Sequence, residues 1–106
     1  GMNEKEAEEE GYEVNIGRFP FKASGKAIAA GHEEGFVKVI SDKKWDQILG
    51  VQIVGPHATD LIAEAAVAIK LESTSEVLAN TIHAHPTLSE SVKEAAEDVH
   101  NLAVHF

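Results

Sequence analysis

Residues 35–54 read GFVKVISDKKWDQILGVQIV, in which two runs rich in valine and isoleucine flank a short polar segment. The runs are residues 35–41 and 48–54, and β-branched side chains of this kind favour extended strands. The charged connection at residues 42–47 favours a direct antiparallel return, and Gly55-Pro56 ends the second run. The sequence therefore predicts an antiparallel hairpin in the middle of the chain.

A third strand is predicted ahead of the hairpin. Residues 12–17 alternate apolar side chains with polar ones or glycine, which is the period of a half-buried strand, and Pro20 ends the pattern. Residues 22–30 are rich in small side chains and favour a connecting turn or a short helix. The acidic opening of the chain favours a short solvated helix that Gly11 terminates.

Two helices are predicted directly after the hairpin. Thr59 has the side chain of an N-cap for a helix with one apolar face. Ser73 with Glu76 matches a capping box for a short helix that ends near Ala79. The apolar face of the first helix consists of Leu61, Ile62, Ala65, Ala66 and Ile69.

A final helix is predicted to reach the C-terminus. Thr87 with Glu90 matches a second capping box, and apolar residues recur beyond it at steps of four and three. The stripe consists of Leu88, Val92, Ala95, Val99, Leu102 and Phe106. Such a narrow stripe suits core packing better than a partner helix, although the two uses are compatible.

Strands that precede helices along the chain indicate an α+β fold. We expect a small antiparallel sheet with helices packed on one face. The 106 residues fit one domain, with no internal repeat or low-complexity linker. Gly1 and Met2 are interpreted as a tag remnant.

The charge balance limits the partners of the domain. The net charge is −9, from 18 acidic and 9 basic side chains, without a basic cluster. Such a surface repels phosphate groups, so neither nucleic acid nor an anionic membrane is expected to bind. The longest apolar run, Ala65 to Ile69, is too short to span a bilayer. A cytoplasmic or organelle-matrix location is expected.

Residues 83–90, HAHPTLSE, combine two histidines, a proline and a carboxylate in the connection before the final helix. Each has a purely structural interpretation. His83 and His85 are expected to be poor ligands for one metal ion, because a closed zinc site needs four ligands and this segment supplies only two imidazoles. Glu90 is explained by helix capping, and Pro86 by its position at the start of a helix.

The alternative interpretation is a histidine–carboxylate pair. Histidine exchanges protons near neutral pH when its second ring nitrogen is held, and Glu90 could hold the ring of His85. Such a base suits the deprotonation of a thiol, whose ordinary pKa of about 8.5 leaves little thiolate at neutral pH.

HAHPTLSE resembles the active-site signature of the pyridine nucleotide-disulfide oxidoreductases, and most closely their dihydrolipoamide dehydrogenase branch. The similarity covers about residues 3–106, including the Gly-Tyr-Glu-Val segment, the hairpin and the Gly-Pro-His-Ala turn. The eight-residue motif is specific and the remainder is supportive.

The resemblance implies a role for each residue of the motif. His85 is the catalytic acid/base, Glu90 hydrogen-bonds to it, His83 shapes the site, and the His85–Pro86 bond is cis. The domain is the interface of a homodimer, and its histidine reaches the partner subunit's redox-active disulfide beside FAD. The implied reaction is oxidation of dihydrolipoamide on a lipoyl domain of a 2-oxoacid dehydrogenase or related complex, with NAD as the electron acceptor.

The departures from the family pattern indicate a fragment of a larger flavoprotein. The chain has no cysteine and no glycine-rich dinucleotide fingerprint. We therefore expect FAD and NAD in the full-length parent and neither on this chain, which is expected to be inactive alone.

Two other hypotheses remain open at this point. One is a free-standing dimerisation module without catalysis. The other is a small metal-binding protein that uses several of the six histidines. No metal site is predicted, because His100 and His105 do not share a helix face and His32 and His57 fall in turns without a distinct signal.

Overall fold

The computed structural model describes residues 1–100 of the chain. Its strands are β1 (Val14–Pro20), β2 (Phe36–Asp42) and β3 (Ile48–Val54). Its α-helices are α1 (Glu4–Glu9), α2 (Gly25–Ala30), α3 (Ala58–Lys70), α4 (Ser75–Asn80) and α5 (Glu90–Asp98), and a 3-10 turn covers Phe21–Ala23.

The three strands form one antiparallel sheet in the order β1-β2-β3. Ile16 lies opposite Ile40 on the β1–β2 ladder, and Val39 lies opposite Val51 on the β2–β3 ladder. A register shift at Ile40 and Ser41 marks the end of the hairpin beside its turn. The predicted hairpin and the predicted α+β class are therefore confirmed.

The main core lies between the sheet and the longer helices. Val37 and Val39 of β2 are fully buried there, together with Val92 and Ala95 of α5 and Ala65 of α3. Alternate side chains of a strand share a face, so these valines point to the same helical layer. This layer fixes α5, which carries Glu90, against the sheet.

Gly17 of β1 allows α5 to approach very closely. A Cβ atom at this position would lie 2.0 Å from the carbonyl oxygen of Ala95 and 2.5 Å from the backbone nitrogen of Val99. Real side-chain atoms do not approach backbone atoms this closely, so only glycine permits the observed spacing.

The opposite face of the sheet is covered at one end by α1. Asn3 and Glu6 form a capping box that begins this helix, so the helix predicted for the acidic opening is confirmed. It is not wholly solvated, however, because Ala7 is fully buried against Ile40 and Leu49. Apolar residues on the second face of β2 and β3 explain why the helix packs there.

Two predicted helix caps are wrong by a residue or two. Helix α3 begins after His57, without a side-chain cap, and Thr59 lies in its first turn. Helix α4 is capped by Thr74, whose hydroxyl accepts a hydrogen bond from the Val77 backbone nitrogen at 3.2 Å. Ser73 is one residue too early, since the antiparallel bridge between Gln47 and Thr74 shifts the start of the helix.

The capping box predicted for α5 is only half formed. The Thr87 backbone nitrogen donates to Glu90 Oε1 at 2.9 Å, as expected. The Thr87 hydroxyl instead donates to the Ala84 carbonyl at 2.6 Å, and Ser89 is the N-cap residue.

The apolar stripe of α5 packs in the core as far as the structure describes it. Val92, Ala95 and Val99 are buried, and Leu88 packs against them. The predicted continuation through Leu102 and Phe106 to the C-terminus lies outside the described residues. Within residues 1–100, no helix is both long and apolar enough to cross a bilayer.

Candidate active site

The segment that links α4 to α5 presents His85 on the surface of the domain. Its ring is 81% exposed, and Nδ1 lies 2.9 Å and 3.0 Å from the two carboxylate oxygens of Glu90. Because a carboxylate accepts hydrogen bonds, Nδ1 carries the proton and Nε2 carries the lone pair. Nε2 is on the far side of the ring from Glu90 and is accessible. We call His85 and Glu90 the outer pair.

Glu90 is held in place by more than the imidazole. It occupies the first turn of α5, where its side chain turns back to accept the Thr87 N–H. Burial by itself would raise the pKa of the Glu90 carboxyl, but the hydrogen bonds from Thr87 and His85 together hold it below its ordinary value. Glu90 is therefore ionised across the neutral range and can stabilise a protonated His85.

The turn between the two residues of the outer pair is constrained by side-chain hydrogen bonds. The Thr87 hydroxyl contacts the Ala84 carbonyl and lies 3.0 Å from the Ser89 hydroxyl. The His85–Pro86 peptide bond is cis, as the family resemblance implied. These contacts place the ring of His85 over the first turn of α5.

His83 lies on the inner side of the same segment. Its side chain is 7% exposed, Nε2 lies 2.5 Å from Glu64 Oε2, and Nδ1 lies 2.9 Å from the Thr81 carbonyl oxygen. Both ring nitrogens therefore face oxygen acceptors, and neither remains for a substrate. We call His83 and Glu64 the inner pair.

Glu64 is a site residue that the motif-based prediction missed. It belongs to α3, 19 positions before His83 in the sequence. The available signal was a carboxylate between Leu61, Ala65 and Ala68, residues that pack on the core side of that helix. A charged side chain beside a buried apolar stripe is expected to have a hydrogen-bonding partner, because burying an unpaired charge is costly. The identity of that partner depends on the tertiary fold.

A cleft of about 290 Å³ opens beside the outer pair. One wall is Phe19 of β1 and the turn before α2, and the other is Pro86 with the first turns of α5. Its charged lining residues are Lys26, Glu90 and Glu94, with the ring of His85 at the same cleft. The cleft is open to solvent, so a second surface could close it over His85.

The family model for the dimerisation domain of the pyridine nucleotide-disulphide oxidoreductases matches residues 1–96. The chain belongs to this family.

Curated relatives of this dimerisation domain include several dihydrolipoyl dehydrogenases. The enzyme of Thermus scotoductus is 50% identical over 106 residues, which are 100% of this chain and 23% of the relative. That of Bacillus subtilis is 49% identical over the same length, 22% of its own chain. The mitochondrial enzyme of Pisum sativum is 45% identical and 21% covered. The dimerisation domain thus spans about a fifth of the length of these relatives.

Solved structures agree with the fold. LpdA from Mycobacterium tuberculosis superposes with a TM-score of 0.84 at 28% identity, covering 92% of this chain and 21% of that one. The HOCl-induced flavoprotein disulfide reductase RclA from Escherichia coli gives 0.86 at 25% identity, covering 92% and 22%. The dimerisation domain therefore has the three-stranded fold of the flavoprotein disulfide oxidoreductases.

The remaining described histidines of the dimerisation domain make contacts that the sequence did not suggest. His57 Nε2 lies 3.1 Å from His32 Nδ1. His100 Nε2 lies 3.1 Å from the Ser75 hydroxyl and 3.3 Å from Asp46 Oδ1, at the end of α5. His105 lies outside the described residues. Residues 1–100 contain no cluster of three or more histidine, cysteine or acidic side chains with metal-binding geometry.

Asp46 connects three elements of the dimerisation domain. It accepts hydrogen bonds from the Ser75 hydroxyl and, at 2.9 Å, from the Glu76 backbone nitrogen, and it contacts His100. Burial would raise the pKa of the Asp46 carboxyl, yet the hydrogen bonds from Ser75 and Glu76 and the His100 ring lower it below its ordinary value. This contact joins the hairpin turn to α4 and α5, away from the outer pair.

Proposed function

We propose that the chain is the interface domain of a dihydrolipoyl dehydrogenase and that the outer pair is the acid/base group it supplies to a partner subunit. The observation that carries the proposal is the exposed ring of His85, with Nδ1 held by Glu90 and Nε2 directed outward. A base that is oriented by its own domain, yet open on its reactive side, is arranged to act on a group from another surface.

The chemistry of the outer pair is a proton transfer from sulfur. A substrate thiol that reaches Nε2 loses its proton to His85, so the S–H bond breaks and an N–H bond forms. The products are a thiolate and an imidazolium, and the imidazolium is stabilised by the Glu90 carboxylate at Nδ1. The thiolate is the nucleophilic form that exchanges with a disulfide. His85 then releases its proton to solvent.

The parent enzyme is proposed to contain FAD and NAD, but the residues of this chain do not fit a dinucleotide. Two carboxylates, Glu90 and Glu94, line the cleft beside His85, with Lys26 as the cation among its lining residues. Such a cleft repels a diphosphate. We therefore assign both cofactors to other domains of a longer protein and expect the isolated domain to be inactive.

Homodimerisation is supported by an exposed apolar surface near the inner pair. Val67 and Leu71 follow Glu64 at intervals of three and four residues along α3, and both are largely exposed. Glu64 contacts His83, whose neighbour Ile82 is 95% exposed. Large apolar side chains on one surface favour association with a second protein surface. We propose that these three residues contact the partner subunit.

The self-association proposal has a direct test in sedimentation velocity. The wild-type domain is expected to sediment as a dimer at micromolar concentrations, and Leu71→Lys is expected to shift it to monomer. Trp45→Gln is the matched control, because Trp45 is equally exposed but lies at the hairpin turn. A wild-type domain that is strictly monomeric, or a control that dissociates as readily as Leu71→Lys, would contradict the proposed surface.

The proposed substrate is dihydrolipoamide on a lipoyl domain, and the proposed location is the cytoplasm or an organelle matrix. Both rest on the dihydrolipoyl dehydrogenases among the relatives. A free-standing dimerisation module is the competing proposal. The two differ in the native gene, which encodes a redox cysteine pair upstream of residue 3 only if the enzyme proposal is correct.

A hybrid-dimer experiment tests whether His85 serves the partner subunit. In the parent enzyme, one subunit would carry His85→Gln and the other would lack the redox cysteines. If the site is shared, the intact cysteines face the intact His85 and about half of the wild-type activity remains.

The control hybrid carries both changes in one subunit and none in the other. A shared site makes this hybrid inactive, since each site then contains one defect. If instead each histidine serves its own subunit, the two results are exchanged, and the proposal is wrong.

A further inference from the structure

His32 and His57 bring two imidazole nitrogens together on the surface of the domain. His32 Nδ1 and His57 Nε2 are 3.1 Å apart, and the ring centroids are 4.8 Å apart with a tilt of 48°. The two residues are 25 positions apart in the sequence. Neither belongs to the outer or the inner pair, and the proposed proton transfer uses neither.

Backbone hydrogen bonds hold both His32 and His57 in place independently of their side chains. His32 follows Gly31, the left-handed C-cap of α2, and its backbone nitrogen donates to the Ala27 carbonyl at 2.8 Å. His57 is the N-cap residue of α3, and its carbonyl accepts the Leu61 N–H at 3.0 Å. The convergence of the rings is therefore set by two helix ends and does not depend on a flexible tail.

The nitrogen–nitrogen distance suits two ligands of one metal ion. Zinc–imidazole bonds of about 2.0–2.1 Å give nitrogens about 3.3 Å apart at a tetrahedral angle and about 2.9 Å apart at a right angle. The observed 3.1 Å lies between these values. A plain hydrogen bond between two neutral rings has the same length, so the distance alone does not distinguish the two.

A carboxylate favours the ring form that a metal needs. Asp60 Oδ2 lies 3.9 Å from His57 Nδ1, on the side of the ring away from His32. This charge favours the tautomer with the proton on Nδ1, which leaves the lone pair of Nε2 directed at His32. Histidine ligands commonly direct their second nitrogen to a carboxylate in this way.

The two rings lie beside apolar side chains, and the negative charge of the chain favours the approach of a cation. Phe21, Pro56, Leu61 and Leu88 line the small cavity beside the two rings. The net charge of −9 attracts cations to the surface of the chain.

We propose that His32 and His57 form a two-histidine binding site for a divalent late first-row transition-metal ion such as Zn²⁺. Water completes the coordination, since the described residues place no third ligand side chain with them. The bound ion would connect the α2–β2 loop to the start of α3. Because it binds only the folded domain, it raises the unfolding temperature. This site is independent of the proposed dehydrogenase function.

Zn²⁺ titration of the domain tests the proposal, followed by calorimetry and by long-range proton–nitrogen spectra of the histidine rings. We expect one equivalent to bind with a micromolar dissociation constant and to shift His32 Nδ1 and His57 Nε2 together. His32→Gln and His57→Gln should each weaken binding about tenfold or more, which corresponds to about 1.4 kcal/mol. Asp60→Asn should weaken it less, by roughly threefold.

His85→Gln is the matched control, because His85 is the most exposed histidine that is paired with a carboxylate in the described part of the chain. Its binding of Zn²⁺ should equal that of the wild type. Zn²⁺ should also raise the unfolding temperature of wild type and of the control, and raise that of His32→Gln by less at the same Zn²⁺ concentration. Loss of binding in the control, or unchanged binding in both His32→Gln and His57→Gln, overturns the proposal. So does a dissociation constant weaker than about 1 mM.

Discussion

The inner and outer pairs combine the same two residue types and differ in almost every other respect. His83 is buried, and both of its nitrogens face oxygen acceptors. His85, two residues later, is exposed and uses only one nitrogen within the domain. The inner pair therefore joins the segment to α3, whereas the outer pair leaves Nε2 of His85 accessible to solvent.

The difference follows from the departure of this segment from regular strand geometry. Residues at i and i+2 point to the same face of a regular strand, but the turn at Pro86 and the bonds of Thr81 and Thr87 rotate this segment out of that pattern. One histidine consequently points to the helices and the other to solvent. Residue type alone does not separate a structural imidazole from a reactive one, whereas the use of its second nitrogen does.

The largest expected effect is on the outer pair. His85→Gln in the parent enzyme should lower the rate of dihydrolipoamide-dependent NAD reduction by about 10²–10⁴-fold, because a positioned acid/base contributes this much. The free energy of unfolding should change by less than about 0.5 kcal/mol, since the ring is exposed. Steady-state kinetics and urea unfolding measure the two. His32→Gln is the control, and an unchanged rate in His85→Gln would remove it from the catalytic role.

The inner pair should show the opposite pattern. Glu64→Gln removes the charge from a contact that holds a buried imidazole, and it should lower the free energy of unfolding by about 1–3 kcal/mol. Urea unfolding of the domain measures this loss. Glu33→Gln, at an exposed position outside both pairs, is the control. Equal stability of the two variants would show that the inner contact contributes nothing to the fold.

Replacing Glu90 tests whether it supports His85 without carrying the proton itself. Glu90→Gln should lower the rate about tenfold, less than His85→Gln, because the amide oxygen still accepts the Nδ1 hydrogen but lacks the charge that stabilises the imidazolium. Parallel kinetics of the two variants in the parent enzyme make the comparison. A loss in Glu90→Gln as large as that in His85→Gln would contradict the expected ranking of the two residues.

The smallest expected effect concerns Asp46, whose carboxylate contacts His100. Burial raises the pKa of the Asp46 carboxyl. The hydrogen bonds from Ser75 and Glu76 and the contact with His100 lower it by more, so that the pKa in the folded domain is below its ordinary value. A lowered carboxyl pKa means that the unfolded chain binds the proton more readily. Its contribution to stability is therefore complete above about pH 4 and is lost as the pH falls through the folded pKa.

Asp46→Asn should reduce the dependence of stability on pH in the acid range. Asparagine is the suitable replacement because residue 46 has a positive φ of 61°, which asparagine tolerates. Urea unfolding at several acid pH values compares the variant with wild type, and Asp60→Asn serves as an exposed control. An equally steep acid dependence in Asp46→Asn would contradict the assignment.

The sequence predicted the features that depend on local patterns. The β-branched runs of β2 and β3 gave the hairpin, and the apolar stripe of α5 gave the helix that carries Glu90. The His83–Glu90 motif placed His85 and Glu90 in one turn, which needs only five residues of chain. Local pattern and tertiary structure agree in these segments.

The features that the sequence did not predict depend on contacts between distant residues. Thr74 replaces Ser73 as a cap because the hairpin turn bridges to it, and Glu64 meets His83 only after α3 has packed on the sheet. His32 and His57 each lie in an unremarkable turn and meet through the fold. The residues of each pair are too far apart in the sequence for a local pattern to predict their contact.

The close contact at Gly17 couples the spacing between β1 and α5 to the position of the His85 ring. Strand β1 and helix α5 are separated there by no more than backbone atoms. A single added methyl group would push the distal half of α5 outward and tilt its first turn, where the carboxylate that steers His85 begins. If the site is shared between two subunits, as proposed, their alignment depends on a hydrogen atom deep inside each of them.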